Sequence, residues 1–320
     1  MRLNLSLDAS RGHGSYLTTI VSARITLLFI SHRSIISDVG KDKSQAFRIT
    51  LRRRATDSNE GRRGFRMIFI TGDTHADFAR FRNPLPFPKG YRTSLEDVVI
   101  ICGDFGGVWE DTQHQAAQLD RLSKLPYTVL FVDGNHENYD LLEAYAVTDW
   151  NGGHVRAIRN NVLQLMRGQR FTIDGKSFFT MGGAACHDIQ NGVLDPADDS
   201  FMIQFRELRY QGKFFRIRNH SWWDRELPTE EELEEGWRTL ELASFQVDYV
   251  ISHCAPTELQ NQIMAKLHND TYQANRLTDF LQRVYDNCSF SHWFCGHYHV
   301  PYDLTPKFHV LYEPLMVLPE

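Results

Sequence analysis

Cysteine is scarce in this sequence, and its spacing excludes two common roles. The five cysteines stand at positions 102, 186, 254, 288 and 295, which is an odd number with no C-x-x-C pair. This usage argues against a disulfide framework and predicts reduced thiols in a cytoplasmic protein. We interpret Cys102, Cys254 and Cys295 as small apolar side chains at crowded strand ends, rather than as thiolate ligands of a soft metal.

Long apolar runs are also missing. The most apolar stretch, residues 16–30, is interrupted by Arg24 and is shorter than the ~20 residues that a membrane-spanning helix needs. The 320 residues are 42% hydrophobic and 23% charged, as in ordinary soluble globular proteins. The sequence therefore predicts no membrane partner, and it is long enough for one large or two ordinary domains.

Positive charge is scarce in most of the chain. Residues 1–66 contain 13 Lys+Arg and 5 Asp+Glu, a net charge of +8, whereas residues 67–320 contain 22 and 35, a net charge of −13. An acidic body is not the footprint of a protein that binds long nucleic acid. It can still bind phosphate, because bound divalent metals invert the local electrostatic field.

The basic segment 1–66 is rich in Ser, Thr and Arg and differs from the rest of the chain. Three interpretations stay open: an Arg-rich transit peptide, a basic arm for anionic partners, or an extension upstream of a natural start at Met67. We favour a non-native extension of this kind or a disordered tail. The reason is that Met67 opens the first apolar strand directly.

Five short motifs of metal-ligand type follow in order after Met67. They are Asp73-Thr74-His75, Gly103-Asp104, Gly134-Asn135-His136-Glu137, Ser252-His253 and Gly296-His297-Tyr298-His299. Each motif follows a short apolar run, and such runs bounded by glycine predict buried strands. Carboxylate, imidazole and amide groups at successive strand ends can converge on one spot. The motifs therefore predict a two-metal site, which can activate a water and clamp a phosphate.

The pattern of elements predicts a mixed α/β sandwich. The strands that precede the motifs are predicted at 67–71, 97–102, 127–132, 247–251 and 293–295, and a further group at 155–158, 162–166, 169–173, 176–181 and 308–312. A helix is predicted over 113–124. Another begins at the capping box of Thr229 and Glu232. A third carries the apolar face from Leu277 to Tyr285.

The ordered motifs D-x-H, G-D, G-N-H-E, a lone H and G-H-x-H resemble the calcineurin-like metallophosphoesterase family, from about Met67 to the C-terminus. The resemblance implies two mixed β-sheets flanked by helices, with the metals at the C-terminal ends of strands. It implies two metal sites that share Asp104 as a bridging ligand: Asp73, His75, Asp104 and His299 for one, and Asp104, Asn135, His253 and His297 for the other. Such mixed nitrogen and oxygen ligands suit Mn, Fe, Zn or Co, and we predict Mn.

The resemblance also implies a mechanism. A hydroxide between the metals attacks the phosphorus, and His136 donates a proton to the leaving oxygen as a general acid. Asp104 and His136 are therefore the predicted catalytic residues, and Glu137 is expected to orient an imidazole from behind the ligands. We assign no role to five other histidines of the body: His114, His154, His187, His268 and His292.

The chain departs from the protein Ser/Thr phosphatases of this superfamily. Where they carry G-D-x-V-D-R-G, this chain has the run from Gly103 to Trp109, without the acid or the arginine. That difference argues against a protein phosphatase. A later segment, with Gly182-Gly183-Ala184 followed by Ser221-Trp222-Trp223, resembles a bacterial and phage-type subgroup of the family.

Residues 189–228 form a long stretch between these two segments, which we interpret as a specificity insertion that acts as a lid or binding loop. Arg216 and Arg218 are candidates for contacting the phosphate. Trp222 and Trp223 are candidates for stacking on a base or sugar, although we favour the alternative that they anchor the insertion to the core.

The sequence thus predicts a binuclear metal-dependent phosphoesterase for a small phosphate ester, with a nucleotide as one candidate substrate. A phosphodiesterase for cyclic nucleotides or nucleic-acid ends is the first alternative. A catalytically silent scaffold on the same fold is the second. The scaffold ranks well below the enzymes, because scaffolds lose ligands and this chain retains them all. The sequence indicates no oligomeric state.

Overall fold

Two β-sheets pack face to face in the computed structural model, which describes residues 66–81, 91–268 and 271–319. All of these residues belong to a unit that spans Arg62–Glu320. The prediction for residues 1–66 lies outside the described residues, apart from Arg66. Among the helices that the structure describes, none combines the length and the apolar character needed to cross a membrane.

The strands are short and mostly follow the predicted runs. In chain order they are β1 (Ile68–Thr71), β2 (Val98–Ile101), β3 (Thr128–Phe131), β4 (Val147–Trp150), β5 (Gly153–Arg159), β6 (Val162–Leu165), β7 (Gln169–Ile173), β8 (Lys176–Met181), β9 (Val193–Leu194), β10 (Arg216–Ile217), β11 (Tyr249–Ser252), β12 (His292–Cys295), β13 (Tyr302–Thr305), β14 (Phe308–Val310) and β15 (Met316–Val317).

The two large sheets share one design, in which a parallel centre is closed by antiparallel strands. The first sheet has the order β15-β1-β2-β3-β6-β5-β4, and β1, β2, β3 and β6 run parallel. The second has the order β13-β14-β12-β11-β8-β7, and β8, β11, β12 and β14 run parallel. The predicted strand 308–312 is β14, which lies inside the second sheet between β13 and β12.

The apolar runs form strands because both faces of each parallel centre are buried. Between the sheets, Ile70 and Ile100 of the first sheet and Phe178, Ile251 and Phe294 of the second belong to one buried cluster. Every residue of β1, β2, β3 and β11 is buried. The predicted sandwich of two mixed sheets is therefore confirmed.

Helices cover the outer faces of the sandwich. They are α1 (Gln113–Leu122), α2 (Tyr139–Leu142), α3 (Phe201–Tyr210), α4 (Glu230–Leu242), α5 (Thr257–Leu267) and α6 (Arg276–Asn287). Helix α1 packs on the first sheet through Leu119 and Leu122, and α4, α5 and α6 contribute to the cluster on the second. The predicted capping box is present at α4, where Thr229 and Glu232 bond each other's backbone N–H. Helix α5 was not predicted.

Residues 189–228 fold into a small structured insertion. It contains β9, α3, β10 and a 3₁₀ turn at Asp224–Glu226, with β9 and β10 paired in parallel. Several contacts tie it to the sandwich. Among them, the Ala184 N–H donates to the Glu226 carbonyl at 3.1 Å, and the Trp223 indole donates to Asp140 Oδ2 at 2.9 Å.

A buried ion pair connects the insertion, the helices and the loop after β3. The Arg167 guanidinium donates to Asp133 Oδ2, and the two side chains are only 5% and 1% exposed. Arg167 also pairs with Glu232 at 3.0 Å and donates to the Arg225 carbonyl at 2.7 Å. Burial lowers the pKa of Arg167, but the Asp133 carboxylate outweighs that effect and leaves the pKa above its usual value.

We expect Arg167→Met to lower the free energy of unfolding by about 3–5 kcal/mol, because it leaves the Asp133 carboxylate buried and unpaired. Urea denaturation followed by circular dichroism measures the change. Adding Asp133→Asn to Arg167→Met should recover part of the loss, since the stranded charge is then removed.

Arg159→Met is the matched control, because Arg159 pairs with Asp120 at the surface. Exposed ion pairs contribute about 0–1 kcal/mol. A loss in Arg167→Met as small as that in Arg159→Met would contradict a stabilising role for the buried pair.

Candidate metal centre

The five predicted motifs lie in loops at one edge of the sandwich. Asp73, Asp104 and Asn135 follow β1, β2 and β3 of the first sheet, and His253 and His297 follow β11 and β12 of the second. The carboxyl ends of neighbouring parallel strands meet at the same edge. Since the two sheets also pack face to face, side chains from both sheets converge there.

Four side chains form a compact cluster of metal-ligand atoms. One atom from each of Asp73, His75, Asp104 and His299 lies within 4.8 Å of all the others. His299 Nε2 lies 3.0 Å from Asp73 Oδ2 and 3.0 Å from His75 Nε2. His75 Nε2 lies 3.7 Å from Asp104 Oδ2. This is the first of the two predicted ligand sets, brought together completely.

Of the second predicted set, His253 faces the other oxygen of Asp104. His253 Nε2 is 3.2 Å from Asp104 Oδ1, and the His253 and His297 rings are 4.9 Å apart at their centroids. Asn135 is buried beside Asp104, whose Oδ1 accepts the His136 backbone N–H at 2.8 Å. The set is looser than the first, yet the two carboxylate oxygens of Asp104 face different imidazoles.

The buried ligand atoms fit a bound cation better than they fit each other. Asn135 Oδ1 is buried and has no hydrogen-bond partner among the described residues. Asp73 Oδ2 and His253 Nε2 are also buried, and they lie beside His299 Nε2 and Asp104 Oδ1, at 3.0 and 3.2 Å, without the geometry of a hydrogen bond. His253 Nδ1 lies 2.7 Å from the Cys102 carbonyl, which can only accept, so Nδ1 carries the proton and Nε2 faces Asp104. Buried polar atoms without partners are costly. A set of nitrogen and oxygen atoms of this kind suits a divalent transition metal.

The backbone at the centre adopts unusual conformations. His75, Asp104, His297 and His299 have φ values of 44°, 47°, 71° and 52°, in the left-handed region that few residues other than glycine adopt. Such strain concentrates at functional sites. Gly103 has a φ of +91°, and a Cβ there would lie 2.1 Å from His253 Nδ1. The glycine before Asp104 is therefore required by both its conformation and the crowding.

The pKa values of Asp104 and His253 depend on each other. Burial raises the pKa of Asp104, but His253 and the neighbouring imidazoles outweigh this and hold that pKa well below its usual value. Burial lowers the pKa of His253, but the Asp104 carboxylate reverses this and raises the pKa to about 9. Burial lowers the pKa of His297 well below its usual value, so its imidazole is neutral and can act as a ligand.

His136 lies beside the first ligand set but is not part of the cluster. Its ring packs edge-on against the His75 ring, with centroids 5.1 Å apart. Its Nδ1 is buried without a hydrogen-bond partner among the described residues. Burial lowers the pKa of His136 well below its usual value, although the Asp104 carboxylate opposes this.

Glu137 occupies a different position from the one we predicted. Instead of orienting an imidazole, its carboxylate accepts the backbone N–H groups of Phe105 and Gly106 at 2.7 and 3.2 Å. It is fully buried, and burial raises its pKa well above the usual value. Glu137 therefore joins the loop that carries Asn135 and His136 to the loop that carries Asp104.

The four predicted substrate contacts in the insertion have different surroundings. Trp223 is 1% exposed and packs on Trp109, so its ring has no free face for a base. Trp222 is half-buried beneath the Arg218 guanidinium, 5.0 Å from the ring centre. Arg218 pairs with Asp224 and Asp195. Arg216 pairs with Asp188 at 2.6 Å, and its charge lowers the pKa of His136.

Two residues near the centre were missed by sequence reasoning. His187 stacks on Tyr272 at 4.5 Å and packs against the ligand His297, with ring centroids 5.7 Å apart. Arg80 donates to the Asp73 carbonyl at 2.8 Å and to Thr71 Oγ1 at 2.9 Å. A signal for His187 was present, since its segment follows β8, which is parallel to β11 and ends at the same edge.

We expect metal binding to release a proton at pH 7.5. In the metal-free protein His253 is protonated below about pH 9, and a ligand imidazole must be neutral. The affinity for Mn²⁺ should therefore rise with pH up to about 9. Protonated His253 also stabilises the metal-free protein, because the Asp104 carboxylate raises the pKa of this histidine on folding. This contribution to stability is complete below the pKa that the histidine has in the unfolded chain, and it is lost as the pH rises through about 9.

Titration calorimetry in buffers of different ionisation enthalpy counts the released protons. His253→Gln should abolish the release assigned to this ring, whereas His292→Gln, which changes a histidine at the start of β12, should retain it. Equal proton release from wild type and His253→Gln would contradict the assignment.

Comparison with known proteins agrees with the geometry. The sequence profile of the calcineurin-like phosphoesterases matches residues 67–301, a range that begins at Met67 and contains all five motifs. No curated protein matched the chain. Because the profile covers well over half of the chain and includes the whole ligand cluster, the protein belongs to the calcineurin-like phosphoesterase family, whose members are metal-dependent hydrolases of phosphate esters.

Proposed function

We propose that this protein is a binuclear phosphoesterase that hydrolyses a small phosphate monoester, with Mn²⁺ as the working metal and a nucleotide as a candidate substrate. One observation carries the proposal. The two oxygens of the buried Asp104 carboxylate face separate imidazoles, with Oδ2 3.7 Å from His75 and Oδ1 3.2 Å from His253. A carboxylate in that position can ligate two cations at once.

The ligands divide into two sets. Asp73, His75 and His299 would hold one metal with Asp104, and the second set is Asn135, His253 and His297 with Asp104. When bound, two such cations polarise phosphoryl oxygens and lower the pKa of a water between them. Asn135 adds an oxygen without charge, which limits the repulsion that an incoming phosphate meets. The His297 imidazole is also neutral, so it adds a nitrogen ligand without adding charge.

The residues around the ligands have separate tasks. Glu137 holds the loop of Asp104 by accepting the Phe105 backbone N–H. Arg80 holds the loop of Asp73 by donating to the Asp73 carbonyl. His136 is the group that we assign to protonating the leaving oxygen, because its ring packs beside the ligand His75 without belonging to the cluster. In the ligand-free protein burial keeps its pKa low. An adjacent phosphoryl dianion favours the imidazolium, so His136 would acquire its proton with the substrate.

The cellular setting that we propose is cytoplasmic. All five cysteines are buried free thiols, and burial raises the pKa of Cys254 to about 12. Such thiols are poor nucleophiles and do not need an oxidising compartment.

The function is tested by hydrolysis of three esters by metal-stripped protein titrated with Mn²⁺: p-nitrophenyl phosphate, its bis ester and glycerol phosphate. Activity should require added metal, and Asp104→Asn should abolish it. His136→Gln should lower the rate on glycerol phosphate by about 10²–10⁴-fold, as expected for loss of a general acid. The loss on p-nitrophenyl phosphate should be much smaller, because its leaving group needs little protonation.

His154→Gln is the matched control, since His154 pairs with Asp149 on exposed strands. Equal losses on both monoesters in His136→Gln would contradict its role as the acid. A preference for the bis ester would replace the monoesterase with a phosphodiesterase. Two bound metals with no activity on any ester would indicate a narrow substrate, and absence of bound metal would favour the scaffold.

Arg216 is the residue of the insertion that we propose to contact the phosphoryl group. Its side chain is mostly buried, its Nε has no hydrogen-bond partner among the described residues, and its charge acts on His136. Arg216→Gln should lower kcat/KM by on the order of tenfold to a hundredfold, because a hydrogen bond to a charged group is worth about 1.5–3 kcal/mol. Arg216→Lys should retain only part of the wild-type kcat/KM, since lysine lacks the planar fork of donors that arginine has.

Arg218→Gln tests the neighbouring candidate, whose partners are acids of the insertion itself. Its kcat/KM should stay within about twofold of wild type, as for most exposed charges. Thermal unfolding of each variant separates lost contacts from lost stability. Equal effects of the Arg216 and Arg218 changes would contradict a specific phosphate contact.

A further inference from the structure

A cavity of about 310 Å³ lies against the ligand His75. Its volume is near the lower end of the about 300–1,000 Å³ that is typical of small-molecule sites. A cavity of this size suits one ring system or a nucleoside, and it is too small for a protein or an oligonucleotide. None of the roles assigned above uses it.

The walls of the cavity are apolar. Phe78 and Phe81 come from the 3₁₀ turn Phe78–Phe81, and Leu122 and Leu125 come from the end of α1 and the residues after it. The Phe78 ring packs on Phe105 with centroids 5.1 Å apart. These side chains are therefore fixed by the core, and the walls form a preorganised surface for a flat apolar group.

The rim of the cavity is polar. Gln118 and Arg121 line it from the same face of α1, three residues apart. A side-chain amide offers both donors and an acceptor to the edge of a heteroaromatic ring, and a guanidinium offers donors and a flat cationic surface. Apolar walls with a few convergent polar groups are the usual composition of a site for a small organic molecule.

His75 is shared by the cavity and the reaction centre. The residue lines the cavity, and its imidazole Nε2 lies 3.7 Å from Asp73 Oδ2 and Asp104 Oδ2 and 3.0 Å from His299 Nε2. The same ring packs edge-on against His136 at 5.1 Å. The group that we assign to protonating the leaving oxygen therefore packs against a residue that lines the cavity.

We propose that this cavity binds the organic part of the leaving group, and that this part is a single aromatic or heteroaromatic ring system such as that of a nucleoside. The proposal rests on the proposed function, because it takes His136 as the residue that faces the leaving oxygen. It locates recognition of the ring beside α1, away from Trp223, whose ring is buried within the protein.

Filling the cavity tests the proposal. Gln118→Trp introduces a bulky ring at its half-buried rim, and Ala116→Trp introduces the same ring at an exposed position of the same helix. In the full-length metal-loaded protein, Gln118→Trp should lower kcat/KM for adenosine 5′-monophosphate by about tenfold or more, the usual scale for loss of contacts in an apolar pocket. The value for glycerol phosphate should stay within about twofold. Ala116→Trp should change neither.

A second readout is independent of turnover. Calorimetry should detect adenosine binding to full-length protein without added metal, in wild type and in Ala116→Trp. Gln118→Trp should bind adenosine about tenfold more weakly or not at all. Thermal unfolding checks that all three proteins are folded to the same extent.

The possible failures are distinguishable. If wild type hydrolyses no ester with metal present, the proposed function fails, and adenosine binding still decides the role of the cavity. If wild type does not bind adenosine, or if Gln118→Trp binds it as well as Ala116→Trp does, the cavity proposal is wrong. Equal losses on both esters in Gln118→Trp would also overturn it, because the effect would then lie in the metal centre.

Discussion

Burying a carboxylate is costly unless other groups compensate for its lost hydration, and Asp104 is 1% exposed. Much of the local structure serves this one group. The His136 backbone N–H donates to it, His253 and His75 face its two oxygens, and Gly103 leaves room for the His253 ring. Its left-handed backbone directs the carboxylate between the two ligand sets. A carboxylate held in this way favours cations, and that preference defines the chemistry of the site.

The centre also depends on how the two sheets are joined. Ligands come from both sheets, so any shift between them would separate Asp104 from His253. The buried pair of Arg167 and Asp133 opposes such a shift, because Arg167 also bonds to Glu232 of α4 and to the Arg225 carbonyl of the insertion. The same contacts fix the insertion against the loop that carries Asn135 and His136. The contacts that stabilise the joined sheets are therefore the same contacts that position the loop of Asn135 and His136.

Different elements surround the two ends of the proposed substrate. The charge of Arg216 in the insertion acts on His136, while α1 and the 3₁₀ turn after β1 form the cavity next to His75. The family motifs supply the reactive centre between them. In the proposed function this arrangement would separate chemistry from recognition, since the ligands come from strand ends and the proposed recognition groups come from elements that can vary without moving those strands.

The sequence alone determined the central strands and the positions of the candidate ligands, because glycine-bounded apolar runs and hard ligands at their ends are local signals. It determined the capping box at Thr229 for the same reason. Only the tertiary structure decided what depends on distant segments: the pairing of Arg167 with Asp133, the backbone contacts of Glu137, the burial of Trp223, and the position of His187 beside His297. These residues are joined by packing of elements far apart in the chain. The end of β8 places His187 at the edge of the ligands, but no local pattern encodes which side chains meet there.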